Sequence, residues 1–180
     1  MKKLSMLIQE YQSSWADDFQ KIKNEIQKAL THLHITIEHV GSTAVPHLAA
    51  KPIIDIDIVF DKNVLFDDIK EVLENIGYYH NGNQGIVDRE VFKRNHTVSN
   101  PILDSITHHL YVCPTHSQEL KRHLLFRDYL IANEKERIEY QNLKYQIAEQ
   151  AHQDKKLYAQ LKEVKAKDFI ADILKKATNE

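Results

Sequence analysis

A single cysteine, four glycines, four prolines and one tryptophan in 180 residues narrow the field before any motif is read. One cysteine, Cys113, admits no intrachain disulfide and no zinc site built from several cysteines. It lies in an apolar run and reads as a small buried residue rather than a nucleophile. Four glycines leave little room for a dinucleotide fold, and the phosphate-loop pattern G-x-x-x-x-G-K-[ST], G-x-G-x-x-G, the G-x-S-x-G elbow and His-Glu-x-x-His are all missing. No apolar stretch approaches the length of a membrane span. Lys2 and Lys3 precede a run broken at Gln9 and Glu10, too short for a signal peptide, so a cytoplasmic location is the default expectation and a membrane partner is not. A formal net charge of −2 gives no basic footprint, so a nucleic-acid partner is not expected either.

What the chain does have is ordinary globular composition, 42% hydrophobic and 28% charged, and enough length for one domain with a sizeable core. The reading is a single domain, 1–180, with a core over about 12–115 and a helical part over about 117–176. Trp15, Phe19, Ile22, Ile26 and Leu30 recur at spacings of three and four, which predicts a helix within 12–31. Residues 35–40 and 52–60 read as strands, 61–77 as a helix ended by Gly77, and 78–80 as a short strand before a glycine-containing loop. Residues 89–94 and 106–113 are further strands. From Ser117 onward glycine and proline vanish. Leu120, Leu124, Tyr129 and Leu130, then Leu143, Ile147 and Ala151, predict two helices with a break at 133–137. A last helix over 155–176 turns Leu157, Leu161, Val164, Phe169, Ile173 and Leu174 inward. Strands first and helices last give an α+β class: a mixed sheet with flanking helices and a helical C-terminal part.

The chemistry concentrates in ITIEHVGSTAVPHLAAKPIIDIDIVF, residues 35–60. In a strand, Asp55 and Asp57 point to one face and Ile54, Ile56 and Ile58 to the other. Two adjacent carboxylates at the edge of a core repel each other, and a divalent cation is the usual remedy. Mg²⁺, or Mn²⁺ in its place, takes one or two carboxylates and fills its shell with substrate phosphates. Gly41 allows a close backbone approach or a positive φ. Ser42 or Thr43 is placed to cap a short helix whose free N–H groups face an anion. Either Glu38 or His39 falls on the acidic side, and His39 there would orient a carboxylate. Lys51 is a point charge for a phosphate, with Lys93, Arg94, Arg127 and Lys144 as further possible contacts. Arg127-Asp128 reads as an internal ion pair. The histidines are scattered rather than spaced as ligands on one helix.

Strand, Gly-Ser turn, short helix and a strand bearing Asp-x-Asp resemble the nucleotidyltransferase superfamily. The stretch 37–60 resembles the GrpB family (UPF0157) almost residue for residue. Tyr11, Trp15 and Phe19, Leu73-Glu74 with Gly77-Tyr78, His109-Leu110-Tyr111-Val112, Phe126-Arg127-Asp128-Tyr129-Leu130, Tyr140 with Leu143-Lys144, and Lys165 with Phe169-Ile170 extend that resemblance over nearly the whole chain. It implies a nucleotidyltransferase-like fold. It also implies a metal-dependent nucleotidyl transfer to a small-molecule or protein acceptor, with a nucleoside triphosphate as substrate. Asp55 and Asp57 would bind metal, and Gly41, Ser42, Thr43 and Lys51 would bind the nucleotide.

Such enzymes place a third acid on a neighbouring strand. Asp88, Glu90 and Asp104 are the available carboxylates, and Glu90 alternates with Phe92 as a sheet-face residue does. Where the superfamily holds that acid, this chain offers His109, and Tyr111 replaces the second histidine of the family's His-Leu-His-Val. Asp55, Asp57, His109 and Glu90 are therefore the expected catalytic set. Two alternatives stand beside it. One is an inactive nucleotide- or metal-binding module. The other is an accessory protein linked to coenzyme A synthesis.

Overall fold

The computed structural model describes residues 6–179; Lys2 and Lys3, weighed above as the start of a leader, lie outside them. In chain order the elements are α1 (Ser14–Ala29), β1 (Ile35–Val40), a 3-10 turn (Ser42–Ala44), β2 (Ile54–Phe60), α2 (Phe66–Asn75), β3 (Tyr78–His80), β4 (Glu90–Arg94), α3 (Pro101–Ser105), β5 (His108–Pro114), α4 (Gln118–Ala132), α5 (Glu134–Gln150), α6 (Lys155–Lys165) and α7 (Lys167–Asn179). Among the described residues the strands form one mixed sheet in the order β1-β2-β5-β4-β3. β2 and β5 run parallel, and the other neighbours are antiparallel. The fold is α+β.

Period-two alternation in β2 decides how the layers stack. Ile54, Ile56 and Ile58 are buried and face α1 and α2, where they meet Trp15, Ile22, Ile26, Ile69 and Leu73, with Leu110 and Val112 from β5 beside them. Gly77 ends α2 at φ 92°, and a Cβ there would stand 2.8 Å from the Arg94 guanidinium. A second apolar cluster joins the C-terminal helices, through Tyr140, Ile147, Tyr158 and Ile173, to Leu7, Ile8, Val45, Leu48 and Ala49. The segment 45–50 is thus the seam between sheet and helices. It is stitched on both sides: Gln9 and Ala50 exchange backbone hydrogen bonds, and the Ala49 N–H donates to Gln141 Oε1 at 2.8 Å.

Two sequence expectations change. The last helix is two, broken at the fully buried Ala166. Its apolar stripe runs through Tyr158 and Leu161, which leaves Leu157 at the surface and Val164 75% exposed rather than inward. The helix expected after Gly41 is a single 3-10 turn. A short helix absent from the sequence reading, α3, opens on Asn100, whose side chain accepts from the Ile102 and Leu103 N–H groups, followed by Pro101. Asn at the cap and Pro at the first helical position are start signals the sequence carried.

Ile56 has no solvent exposure in the middle of the core. Ile56→Ala should destabilise by about 2–5 kcal/mol, against a change within about 0.5 kcal/mol for Val164→Ala, both read from urea unfolding midpoints.

Candidate functional site

The face of β2 opposite the core carries Asp55 and Asp57. Asp55 is registered beside His109 of β5, and Asp57 lies between Glu38 of β1 and Tyr111 of β5. Asp55 Oδ1 accepts from His109 Nδ1 at 2.8 Å, and Nε2 of that ring makes no hydrogen bond among the described residues. The His109 side chain is 53% exposed.

Asp57 has no solvent exposure. Its Oδ2 accepts from His123 Nδ1 at 2.7 Å, and His123 Nε2 lies 3.4 Å from Glu119 Oε1. With a carboxylate at each ring nitrogen, His123 is an imidazolium. Burial alone would lower its pKa, but the hydrogen bonds to Asp57 and Glu119 outweigh that and push it up to about 9. Burial raises the Asp57 carboxyl, and His123 pulls it back. Asp57 Oδ1 is buried and has no hydrogen-bond partner among the described residues. Such an orphan acceptor is costly unless something electropositive meets it. On the same face the Arg89 guanidinium stacks 4.8 Å over the Tyr111 ring.

The turn before β2 is built against Asp55. Gly41 sits at φ 74°, and a Cβ there would stand 2.4 Å from Asp55 Oδ2, so both the backbone conformation and the space demand glycine. Gly41 itself takes the cap position of the 3-10 turn, with no side-chain capping bond. The Thr43 hydroxyl is buried, donates to the Ile53 carbonyl at 3.2 Å and lies 3.0 Å from His39 Nε2. Thr43 therefore braces the turn instead of facing an anion. His39 is registered with Ile56 on the core face and stacks on Phe19 at 4.6 Å, and burial pushes it down to about 4. Glu38 is the β1 residue on the acidic face, where Arg127 Nη1 donates to its Oε2 at 2.7 Å.

Between this face and the C-terminal helices lies a cleft of about 400 Å³, lined on one side by Gly41, Ser42 and Asp55 and on the other by Tyr140, Lys144, Tyr158 and Lys162. Lys51 reaches it with Nζ 4.6 Å over the Tyr158 ring; partial burial, and Lys162 next to it, lower its pKa. Lys144 is 2% exposed. Its Nζ lies 3.1 Å from Ser42 Oγ and donates to the Ala49 carbonyl.

The structure gathers Asp55, Asp57, His109, Gly41, Ser42 and Lys51, but not Glu90. Glu90 is registered with Val112, on the core face, where its Oε2 lies 2.6 Å from His80 Nε2. Asp88 lies 3.5 Å from His116, and Asp104 accepts from Arg94 and from the Asn100 N–H. Arg94 is spent on Asp104 and on the Ile76 and Val98 carbonyls, and Arg127 on Glu38, Asp128 and the His39 carbonyl. The acid that does reach the site is Glu119, through His123. Sequence reasoning missed both. Their signal was the i, i+4, i+8 spacing of Glu119, His123 and Arg127, a polar stripe along the one face of α4 that meets the sheet. Lys144, named from the sequence as a possible phosphate contact, does line the cleft, and Lys162 beside it gave no signal beyond lysine on a helix.

Two carboxylates with an unengaged oxygen each, Asp55 Oδ2 and Asp57 Oδ1, fit a hard divalent cation that completes its shell with phosphate oxygens. They do not fit a cation held by protein alone. Among the described residues no three His, Cys, Asp or Glu side chains gather to hold a metal.

The sequence profile of the family described as GrpB protein matches residues 5–176. The chain is 34% identical to the UPF0157 protein YqkA of Bacillus subtilis over 78% of its length, and the match spans only 39% of that longer protein. A 68-residue stretch, 36% of the chain, is 35% identical to 17% of the dephospho-CoA kinase of Mycobacterium tuberculosis H37Rv. Among solved structures, the conserved protein GrpB from Enterococcus faecalis superposes with a TM-score of 0.75 at 32% identity, over 94% of this chain and 98% of that one.

Gly41→Ala should strain the turn and displace the Asp55 carboxylate, lowering the melting temperature and any ligand affinity together. His123 has a folded pKa above its unfolded value, so its contribution to stability is full below about pH 6.5 and is lost as pH rises through about 9. Melting temperature should fall over that window in the wild type and more shallowly in His123→Gln.

Proposed function

The chain belongs to the GrpB family, and on that footing we propose that it is a metal-dependent nucleotidyltransferase acting on a hydroxyl of a small-molecule or protein acceptor. The observation that carries this is the pairing of Asp55 and Asp57 on one face of β2 with Gly41 held against the Asp55 carboxylate. Asp55 and Asp57 would hold Mg²⁺ or Mn²⁺ through the carboxylate oxygens that His109 and His123 leave free. The bound ion supplies charge neutralisation at the phosphates of a nucleoside triphosphate. The Gly41-Ser42 turn presents its backbone to those phosphates, and Lys51 adds a positive charge. His109, held by Asp55 through Nδ1, takes the acceptor's proton on Nε2, the role usually given to a third carboxylate.

A second reading is favoured by the short likeness to dephospho-CoA kinase: an accessory protein that works beside coenzyme A synthesis. It differs in being indifferent to Asp57→Asn.

Calorimetry with ATP, GTP, CTP and UTP, each with Mg²⁺ or Mn²⁺, tests the choice. The expected result is metal-dependent binding by the wild type that Asp55→Asn loses while keeping its melting temperature. Binding by neither protein sinks the nucleotide reading. Once an acceptor is found, His109→Ala should retain nucleotide binding and lose transfer by roughly 10²–10⁴-fold. Binding without turnover of any acceptor favours the inactive module.

A further inference from the structure

The nucleotidyl reading leaves one buried amine of the cleft without a task. Lys144 projects from α5, is 2% exposed, and meets two polar groups, the Ala49 carbonyl and Ser42 Oγ at 3.1 Å. Among the described residues no carboxylate lies within 4.0 Å of its Nζ. A buried ammonium has three hydrogens to satisfy and an unpaired charge to hold, and two neutral oxygens answer neither need. The Tyr140 ring 4.8 Å away offsets part of that charge, about 0.5–2 kcal/mol, less than the several kcal/mol of removing an ion from water. A neutral amine fits the same surroundings better: with one hydrogen donated to the Ala49 carbonyl, its lone pair can turn to the Ser42 hydroxyl 3.1 Å away, and it carries no charge to pair. Burial, with Lys162 adding repulsion, holds the Lys144 pKa well below the usual lysine value.

We infer that Ser42 and Lys144 form a serine–lysine dyad, with Ser42 Oγ as nucleophile and Lys144 Nζ as its base, acting on carboxylic esters with short aliphatic acyl groups. Ser42 is partly exposed and opens the cleft. Ile8, Phe126, Ile170 and Leu174 form an apolar wall of the same cleft, which suits an aliphatic chain.

The step balances without a cofactor. Lys144 Nζ takes the Ser42 proton as Oγ adds to the ester carbonyl. The tetrahedral adduct then expels the alkoxide, which leaves as the alcohol with the proton from Nζ. Water, deprotonated by the same amine, hydrolyses the acyl-Ser42 ester to a carboxylic acid and restores the hydroxyl. The dyad shares the cleft of the nucleotidyl reading but not its metal, so it stands or falls separately.

The test is labelling of the full chain in EDTA with an alkyl fluorophosphonate, which forms an Oγ–P bond and releases fluoride, with hydrolysis of p-nitrophenyl butyrate followed in parallel. Peptide mass mapping should place one adduct on Ser42. Ser42→Ala should abolish both readouts. Lys144→Met and Lys144→Arg should each slow them roughly 100-fold or more; a purely electrostatic or packing role would let the arginine variant recover. The wild-type rate should rise with pH to a plateau with a midpoint below 10.5, the ordinary lysine value. No adduct at Ser42, a midpoint at or above that value, or full-rate labelling of Lys144→Arg overturns the dyad. If both lysine variants unfold, the adduct position and the wild-type midpoint still decide.

Discussion

Asp57 carries its carboxylate at 0% exposure in the middle of the sheet, and much of the architecture on that face answers to it. A charge in such a place persists only if a partner is delivered to it. The partner is His123, and delivering it fixes how α4 lies. The same helix face brings Glu119 to the far side of the imidazole and Arg127 to Glu38 on the edge strand. Three contacts at four-residue intervals on one helix set both its tilt and its register over the sheet. Once α4 is placed, the helices that follow it close over the Gly-Ser turn, and the cleft exists. The apolar packing beneath the sheet could be exchanged in many ways for residues of similar volume, whereas the contacts of this ionic seam depend on the length and sign of each partner.

The cleft that results is electrostatically lopsided. Its sheet side presents the carboxylate of Asp55, and its helical side presents amines. A single-charge ligand would satisfy one wall at the expense of the other. A phosphate that travels with a divalent cation suits both, which is why the two walls favour the nucleotide reading over a plain anion site. Lys144 stands apart from this field because burial holds its pKa well below the usual lysine value.

How much of this the sequence revealed follows from the range of the interactions. Strand alternation is local, so Ile54, Ile56 and Ile58 against Asp55 and Asp57 could be read directly. Gly41 was legible for a local reason too, although its φ of 74° and its contact with Asp55 were not separable before the structure. The choice between Glu38 and His39 depends on the register of β1 against β2, and no residue in either strand announces it. Glu90 failed for the same reason: its alternation with Phe92 was real, but the pairing with Val112 turned that face toward α2. The break at Ala166 and the outward Val164 reflect a second helix restarting its own apolar stripe, which periodicity read as one. Lys144 could be named as a phosphate contact, but its burial could not be read, because that depends on a carbonyl at residue 49, far away in sequence.

The cleft draws its walls from Ile8, from residues 41–55, and from a stretch reaching Leu174. No contiguous part of the chain contains it. A ribosome making this protein therefore completes the sheet well before there is any pocket to fill. Ligand capture, whatever the ligand, needs α7 folded back to the neighbourhood of the first strand. The cleft therefore forms later than the sheet it is built on, and no fragment that stops short of α7 carries all of its walls.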